Sequence, residues 1–178
     1  MESRLIRMLK GFCYAADILN EWAGKIFSWL VIPLTILVSI EVILRYVFDR
    51  PTIWIWDINI QILGALIVFS GGYTLLRGAH IGIDVLIENW SPRKKVIIDI
   101  VTYPFFLFSM GILFWKAVSE AWVSVQVGEM YNSFFRPPIY PLKVAISVGV
   151  LLFFVQGTAK FLRDVLAVAS SMKEVDRD

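Results

Sequence analysis

The chain has 178 residues, 58% of them hydrophobic and 18% charged, with a mean hydropathy of +0.70 and a formal net charge of +2. Soluble domains carry about 45–50% apolar and about 25% charged residues, so this much apolar surface needs a solvent that is itself apolar, and the near-neutral charge gives no reason to expect a nucleic-acid role. A single cysteine, Cys13, excludes an internal disulfide, a single histidine, His80, excludes a haem held between two of the chain's own histidines, and no Cys/His cluster has metal-ligand spacing.

The expectation is an all-α integral membrane protein with four transmembrane helices and an N-terminal amphipathic interfacial helix. That first helix occupies residues 1–21. From Arg4 to Glu21 the apolar residues Leu5, Leu9, Phe12, Ala16 and Leu19 recur at steps of four and three, and Arg7, Lys10, Tyr14, Asp17 and Glu21 repeat those steps two positions later. Two residues are about 200° on a helix, so the two stripes lie opposite each other. Basic residues beside an apolar stripe suit a helix lying on an anionic leaflet; the alternative is a helix packed on a protein partner. The periodic apolar positions, with no small-residue cleavage site after them, are not those of a cleaved signal peptide.

The transmembrane domain covers residues 22–163. Its predicted spans are residues 26–46, 58–76, 100–119 and 141–160, with a frayed tail at 164–178. Pro33 in the first span and Pro104 in the third are tolerable, because neighbouring groups in a membrane re-satisfy the freed carbonyls. Trp54 and Trp56 stand at the entry to the second span. Ser91-Pro92 is a good helix start, a hydroxyl cap followed by proline. Arg136-Pro137-Pro138 resists regular structure between spans three and four. The segment from Ile81 to Trp90 mixes apolar residues with Asp84 and Glu88 and predicts a short helix along the interface.

Four spans put both termini on one side. With Lys25 and Lys116 left out as too close to the spans, eleven basic residues fall on that side (Arg4, Arg7, Lys10, Arg77, Arg93, Lys94, Lys95, Lys160, Arg163, Lys173 and Arg177), against four on the other (Arg45, Arg50, Arg136 and Lys143). The positive-inside rule then predicts cytoplasmic termini, with the turn near Pro51 and the loop near Pro137 facing outward, to the periplasm if the cell is Gram-negative.

Few ionisable residues fall near the hydrocarbon. Glu41 and Arg45 are four apart and share a helix face. In a hairpin folded about Pro51, Asp57 returns to the depth of Arg45, which predicts a cluster with Arg45 between Glu41 and Asp57. Charges there cost about 2.5–3.5 kcal/mol each unless paired. The cluster reads as a clamp on the hairpin rather than a proton relay, because an adjacent arginine keeps both acids ionised. Lys116 and Glu120 form a local helix pair. Asp57, Gln61, Gly64, Gly71 and Gly72 follow helical spacing on one polar, small face of the second span, and Ala145 and Gly149 repeat the small-residue pattern in the fourth. In lipid such residues are where helices approach closely, either within the chain or against a partner.

The stretch from Glu41 to Asp84 resembles the small membrane subunit, the Q-type component, of tripartite ATP-independent periplasmic (TRAP) transporters. The matching residues are Leu44-Arg45-Tyr46 with Phe48, Trp54 with the acid Asp57, Gly64 and Gly72, and Arg77 with His80-Ile81-Gly82-Ile83-Asp84. The acid after the tryptophans is often glutamate in the family and is aspartate here; Glu41 stands where a neutral polar residue is expected. The resemblance implies a subunit that braces a large membrane subunit carrying the substrate and sodium sites. It also implies help in docking a periplasmic substrate-binding protein, in a secondary transporter that takes up organic acids. It implies neither a cofactor nor an enzyme activity, and no nucleophile–base pair stands in the sequence. Competing readings are a stand-alone proton-coupled exporter with Glu41 as carrier, and the membrane anchor of a redox complex.

Overall fold

The computed structural model describes residues 4–78 and 92–175. Among the described residues there are five helices: α1 (Arg4–Ser28), α2 (Val31–Tyr46), α3 (Ile55–Leu76), α4 (Pro92–Val127) and α5 (Tyr140–Val175). Four helical stretches are long and apolar enough to cross a membrane: Ile6–Tyr46, Ile55–Leu76, Val101–Val127 and Tyr140–Leu166. The protein is therefore all-α and multi-pass, as its composition predicts.

The N-terminal boundary differs from expectation. α1 runs on to Ser28, past Glu21, so the predicted first span, residues 26–46, is divided between the end of α1 and a separate helix that begins at Val31. The break at Trp29–Leu30 follows from Pro33. Proline has no N–H to give the carbonyl four residues back, and its ring crowds that carbonyl, here Trp29. The backbone bridges the gap with Leu34 N–H on Leu30 O at 3.1 Å and Ile32 N–H on Trp29 O at 3.1 Å.

α1 packs on its own chain. Cys13, Ala16 and Asn20, at steps of three and four, are buried against α5, and the Cys13 thiol donates to Ala159 O at 3.5 Å. Leu19 and Phe12, from the predicted apolar stripe, stay exposed. The face that buries is thus small and partly polar, and it allows close approach rather than supplying greasy area. Further along, Phe27 stacks on Phe69 of α3 at 3.6 Å.

Small residues set the remaining contacts, and they do so within the chain. A β-carbon on Gly64 would stand 3.1 Å from Leu142, one on Gly71 3.4 Å from Phe153, and one on Gly149 would overlap Val68. Absent side chains on α3 and α5 are therefore filled by side chains of the facing helix, which is how helices associate where no hydrophobic drive exists between them. α4 joins through Tyr103, stacked on Phe161 of α5 at 3.6 Å.

Spans three and four are parts of longer rods: the third ends where α4 ends and the fourth begins where α5 begins. α4 and α5 have 36 residues each, about 54 Å at 1.5 Å per residue against about 30 Å of hydrocarbon. The residues expected as a frayed tail continue α5 as helix to Val175. Leu162, Val165 and Leu166 extend the apolar periodicity past Lys160, and no glycine or proline follows to stop the helix.

Candidate functional site

Polar side chains gather at the two ends of the bundle. At one end lie the turn of residues 47–54 and the loop of residues 128–139. α2 stops at Tyr46, and the turn takes Asp49 through a left-handed conformation with φ of 51°. This brings Thr52 back onto α2. Glu41 accepts Arg45 Nη2 at 2.6 Å on one oxygen, and Thr52 Oγ1 at 2.5 Å and Thr52 N–H at 3.2 Å on the other. The Glu41 side chain is 12% exposed and that of Arg45 is 51% exposed. The carboxylate is thus fully engaged, and the arginine has solvent-facing capacity left.

Asp57 does not join them. It lies in the first turn of α3, buried, and accepts the Ser133 hydroxyl from the 128–139 loop. Ser133 Oγ in turn accepts the backbone N–H of Arg136 at 3.2 Å. The predicted three-residue cluster is therefore two sites, Glu41–Arg45–Thr52 and Asp57–Ser133. Equal depth along a hairpin fixes height but not azimuth, and Asp57 faces the 128–139 loop rather than α2.

The 128–139 loop is more regular than its prolines suggested. Tyr131 N–H donates to Pro137 O at 2.8 Å and Ile139 N–H to Glu129 O at 3.0 Å, closing a short antiparallel bridge between Met130 and Pro138. Gly128 enters it with φ of 59° and Arg136 turns it with φ of 49°. Lys143 Nζ reaches Glu129 at 2.5 Å and Glu120 at 3.7 Å, and Lys116 pairs with Glu120 at 2.7 Å as expected. The Lys143 ammonium, hydrogen-bonded to Glu129, holds that carboxyl below the usual carboxylate range. The tip projects Phe134, 96% exposed, beside half-exposed Phe135 and Met130. With Trp56, Asp57, Asn132 and Arg136 it borders an open cavity of about 650 Å³.

The opposite end holds a polar network that reading the sequence missed. Asn20 Nδ2 lies 2.9 Å from Gln156 Oε1 and 3.0 Å from Ala16 O. Gln156 Nε2 donates to Asp17 Oδ1 at 2.9 Å, and both carboxylate oxygens of Asp17 take Arg163, at 2.9 and 3.0 Å. Asn20 and Gln156 are fully buried. A signal was present: Gln156 ends the apolar run Val150–Val155, and an amide there needs a partner from another helix. Arg77 reaches Glu21 at 3.4 Å and covers the Tyr73 ring at 5.2 Å, tying the end of α3 to α1.

Of the other predicted residues, Gln61 is half-buried on α3. Gly64 and Gly71 pack as described above, and Gly72 abuts the Asn20 side chain. His80 and Asp84, with the interfacial helix expected around them, lie outside the described residues.

Residues 34–167, from early α2 into α5, match the family model described as tripartite ATP-independent periplasmic transporters, DctQ component. No curated protein matches the chain.

Proposed function

The chain belongs to the DctQ component family of tripartite ATP-independent periplasmic transporters, and from that premise we propose that it is the brace of its transporter rather than the conduit. In this reading it is the small subunit, held with both termini in the cytoplasm of a bacterial inner membrane. It steadies a large membrane subunit that carries the substrate and sodium sites, and its outer loops help to dock the substrate-binding protein. The transported class is organic acids, taken up by sodium symport.

The observation that carries the reading is the interlocked interior. Helices whose glycines are filled by facing side chains, at Gly64, Gly71, Gly72 and Gly149, have no slack in which to slide. Such a bundle suits a fixed scaffold better than a moving carrier. Glu41 supports the same conclusion. With one oxygen on Arg45 and the other on Thr52, it has no lone role as a proton carrier. The exposed aromatic tip at Phe134 and Phe135 and the open cavity beside Arg136 are the surfaces for the binding protein.

Reconstitution tests the proposal. Proteoliposomes holding this polypeptide alone are expected to show no solute flux, and uptake is expected only with the large subunit and the binding protein added. Flux through this chain alone would overturn it.

A further inference from the structure

We propose that the second half of α1 is set obliquely into the leaflet at the Arg77 end, with Trp22, Ile26 and Trp29 against acyl chains, so that the break between α1 and α2 lies inside the hydrocarbon. The inference concerns this chain alone and stands whether or not the subunit reading holds; that reading only names the leaflet, as the cytoplasmic one.

Contacts between helices fix the depth. α3 has 22 residues, about 33 Å, close to one thickness of hydrocarbon, so its ends mark the two faces and Arg77, its C-cap, marks one of them. α5 runs beside α3 in the same direction, with Leu142 against Gly64 and Phe153 against Gly71. Arg77 follows Gly71 by six residues and Ala159 follows Phe153 by six, so the two are level. α1 begins its descent there, where the Cys13 thiol meets Ala159 O. It then passes Tyr73, whose side chain fills the place of a β-carbon on Gly24, and reaches Phe69, on which Phe27 stacks at 3.6 Å. Phe69 lies about 12 Å inside Arg77, while Cys13 to Phe27 is about 21 Å of helix. α1 is therefore inclined at about 55° to α3. Half the hydrocarbon is about 15 Å, so Phe27 stands nearer the bilayer midplane than its face.

The chemistry of α1 changes with that depth. Its charges end at Lys25, whose ammonium turns back to Glu21 at 2.8 Å, and the next ionisable residue is Glu41. Trp22, Ile26 and Trp29, at steps of four and three, form an exposed flank. The Ser28 hydroxyl next to it is engaged with Lys25 O at 2.7 Å. This flank selects its occupant. Helices associate in lipid through small residues and hydrogen bonds, because no hydrophobic drive acts between them. α1 places its small and amide residues, Ala16, Asn20 and Gly24, on the face buried within the bundle. What it leaves outward between Trp22 and Trp29 is bulky and apolar. Acyl chains fit that surface; a second helix, of this chain or another, finds neither a place for close approach nor a hydrogen bond there.

The test uses the full chain in liposomes of phosphatidylcholine and phosphatidylglycerol. A nitroxide is attached in turn to Phe12→Cys, Trp22→Cys and Trp29→Cys in a Cys13→Ala background, and its collisions with oxygen and with a water-soluble nickel complex are compared. The oxygen-to-nickel ratio is expected to rise from position 12 to 22 to 29, with position 29 about 10–15 Å deeper than position 12. Equal ratios would show a helix lying flat on the surface and would overturn the proposal. Shielding of positions 22 and 29 from both agents would show a polypeptide on the flank and would overturn the lipid occupant. The same labels in the complete transporter should keep their ratios; shielding that appears only there would assign the flank to the large subunit instead. A second measurement leaves Cys13 in place and so answers even if that background fails to fold. Trp29→Phe should reduce the tryptophan fluorescence quenched by lipid brominated in mid-chain and leave that quenched by aqueous iodide unchanged. A drop confined to the iodide-quenched emission would place Trp29 in water and refute the proposal.

Discussion

The side-chain oxygen of Asn20 occupies the space that a β-carbon on Gly72 would need. α1 and α3 can meet there only because α3 has no side chain at that point. Asn20 cannot retreat, because its amide nitrogen is held by Gln156 Oε1 and Ala16 O. Gly72→Ala is therefore expected to destabilise the bundle by about 1–3 kcal/mol, the usual cost of overpacking a tight site. Gly111→Ala is the control, since a β-carbon there meets nothing within 4 Å. It should be neutral or stabilising by up to about 1 kcal/mol from helix propensity. Thermal unfolding in detergent, followed by tryptophan fluorescence, distinguishes the two; equal melting of both variants would show that the close approach is unimportant.

The network at that end ranks its members by burial. Gln156 is fully buried and bonds Asn20 on one side and Asp17 on the other. Gln156→Leu removes both and is expected to cost about 1–3 kcal/mol. Arg163 and Asp17 form the more conspicuous pair, but their side chains are 41% and 29% exposed. Water can take over much of that interaction, so Arg163→Gln is expected to cost no more than about 1 kcal/mol. The same melting measurement gives the order, and a larger loss from Arg163→Gln would refute the ranking by burial.

How far the sequence could be read follows from what each signal encodes. Long apolar runs announce spans directly, so α3 and the spans within α4 and α5 were legible, and Pro33 carried the information for the break after Ser28. The partners of polar residues were not legible. Helical periodicity places Glu41 beside Arg45 because both lie on one helix. It says nothing of Asp57, whose partner Ser133 is 76 residues away and whose direction depends on how α3 packs. Asn20 was hidden for a related reason. It falls outside both the apolar and the charged stripe of α1, and its burial arises only because Gly72 and Gln156 come to it from other helices.

Glu41 separates a clamp from a proton carrier. Both of its oxygens are occupied in the folded chain, by Arg45 and by Thr52. Glu41→Gln keeps an oxygen for Thr52 but turns an amide N–H₂ toward the guanidinium. A modest loss in stability is expected. Substrate uptake by proteoliposomes holding all three components should continue at a rate within about twofold of the unaltered complex, since about 0.4 kcal/mol in a barrier corresponds to that factor. Abolished uptake with an intact, assembled complex would return Glu41 to the role of carrier.

The last prediction concerns acid and the 128–139 loop. Glu129 anchors this loop twice, through its carbonyl on the Ile139 N–H at 3.0 Å and through its carboxylate on Lys143. The Lys143 ammonium lowers the Glu129 pKa from its ordinary value of 4.5. A carboxyl depressed in the closed loop binds its proton more readily once the loop opens. Its stabilising contribution is thus complete above the ordinary value and is lost as pH falls through the lowered one. Hydrogen exchange at the Ile139 amide, corrected for intrinsic rates, should be pH-independent near neutrality and should accelerate as pH falls below the ordinary value of 4.5. Glu129→Gln cannot titrate and should start from weaker protection that no longer varies over that range. Acid acceleration of the same size in Glu129→Gln would place the responsible group elsewhere. The measurement also bears on docking, because the Phe134 tip is presented by the loop that Glu129 and Lys143 close.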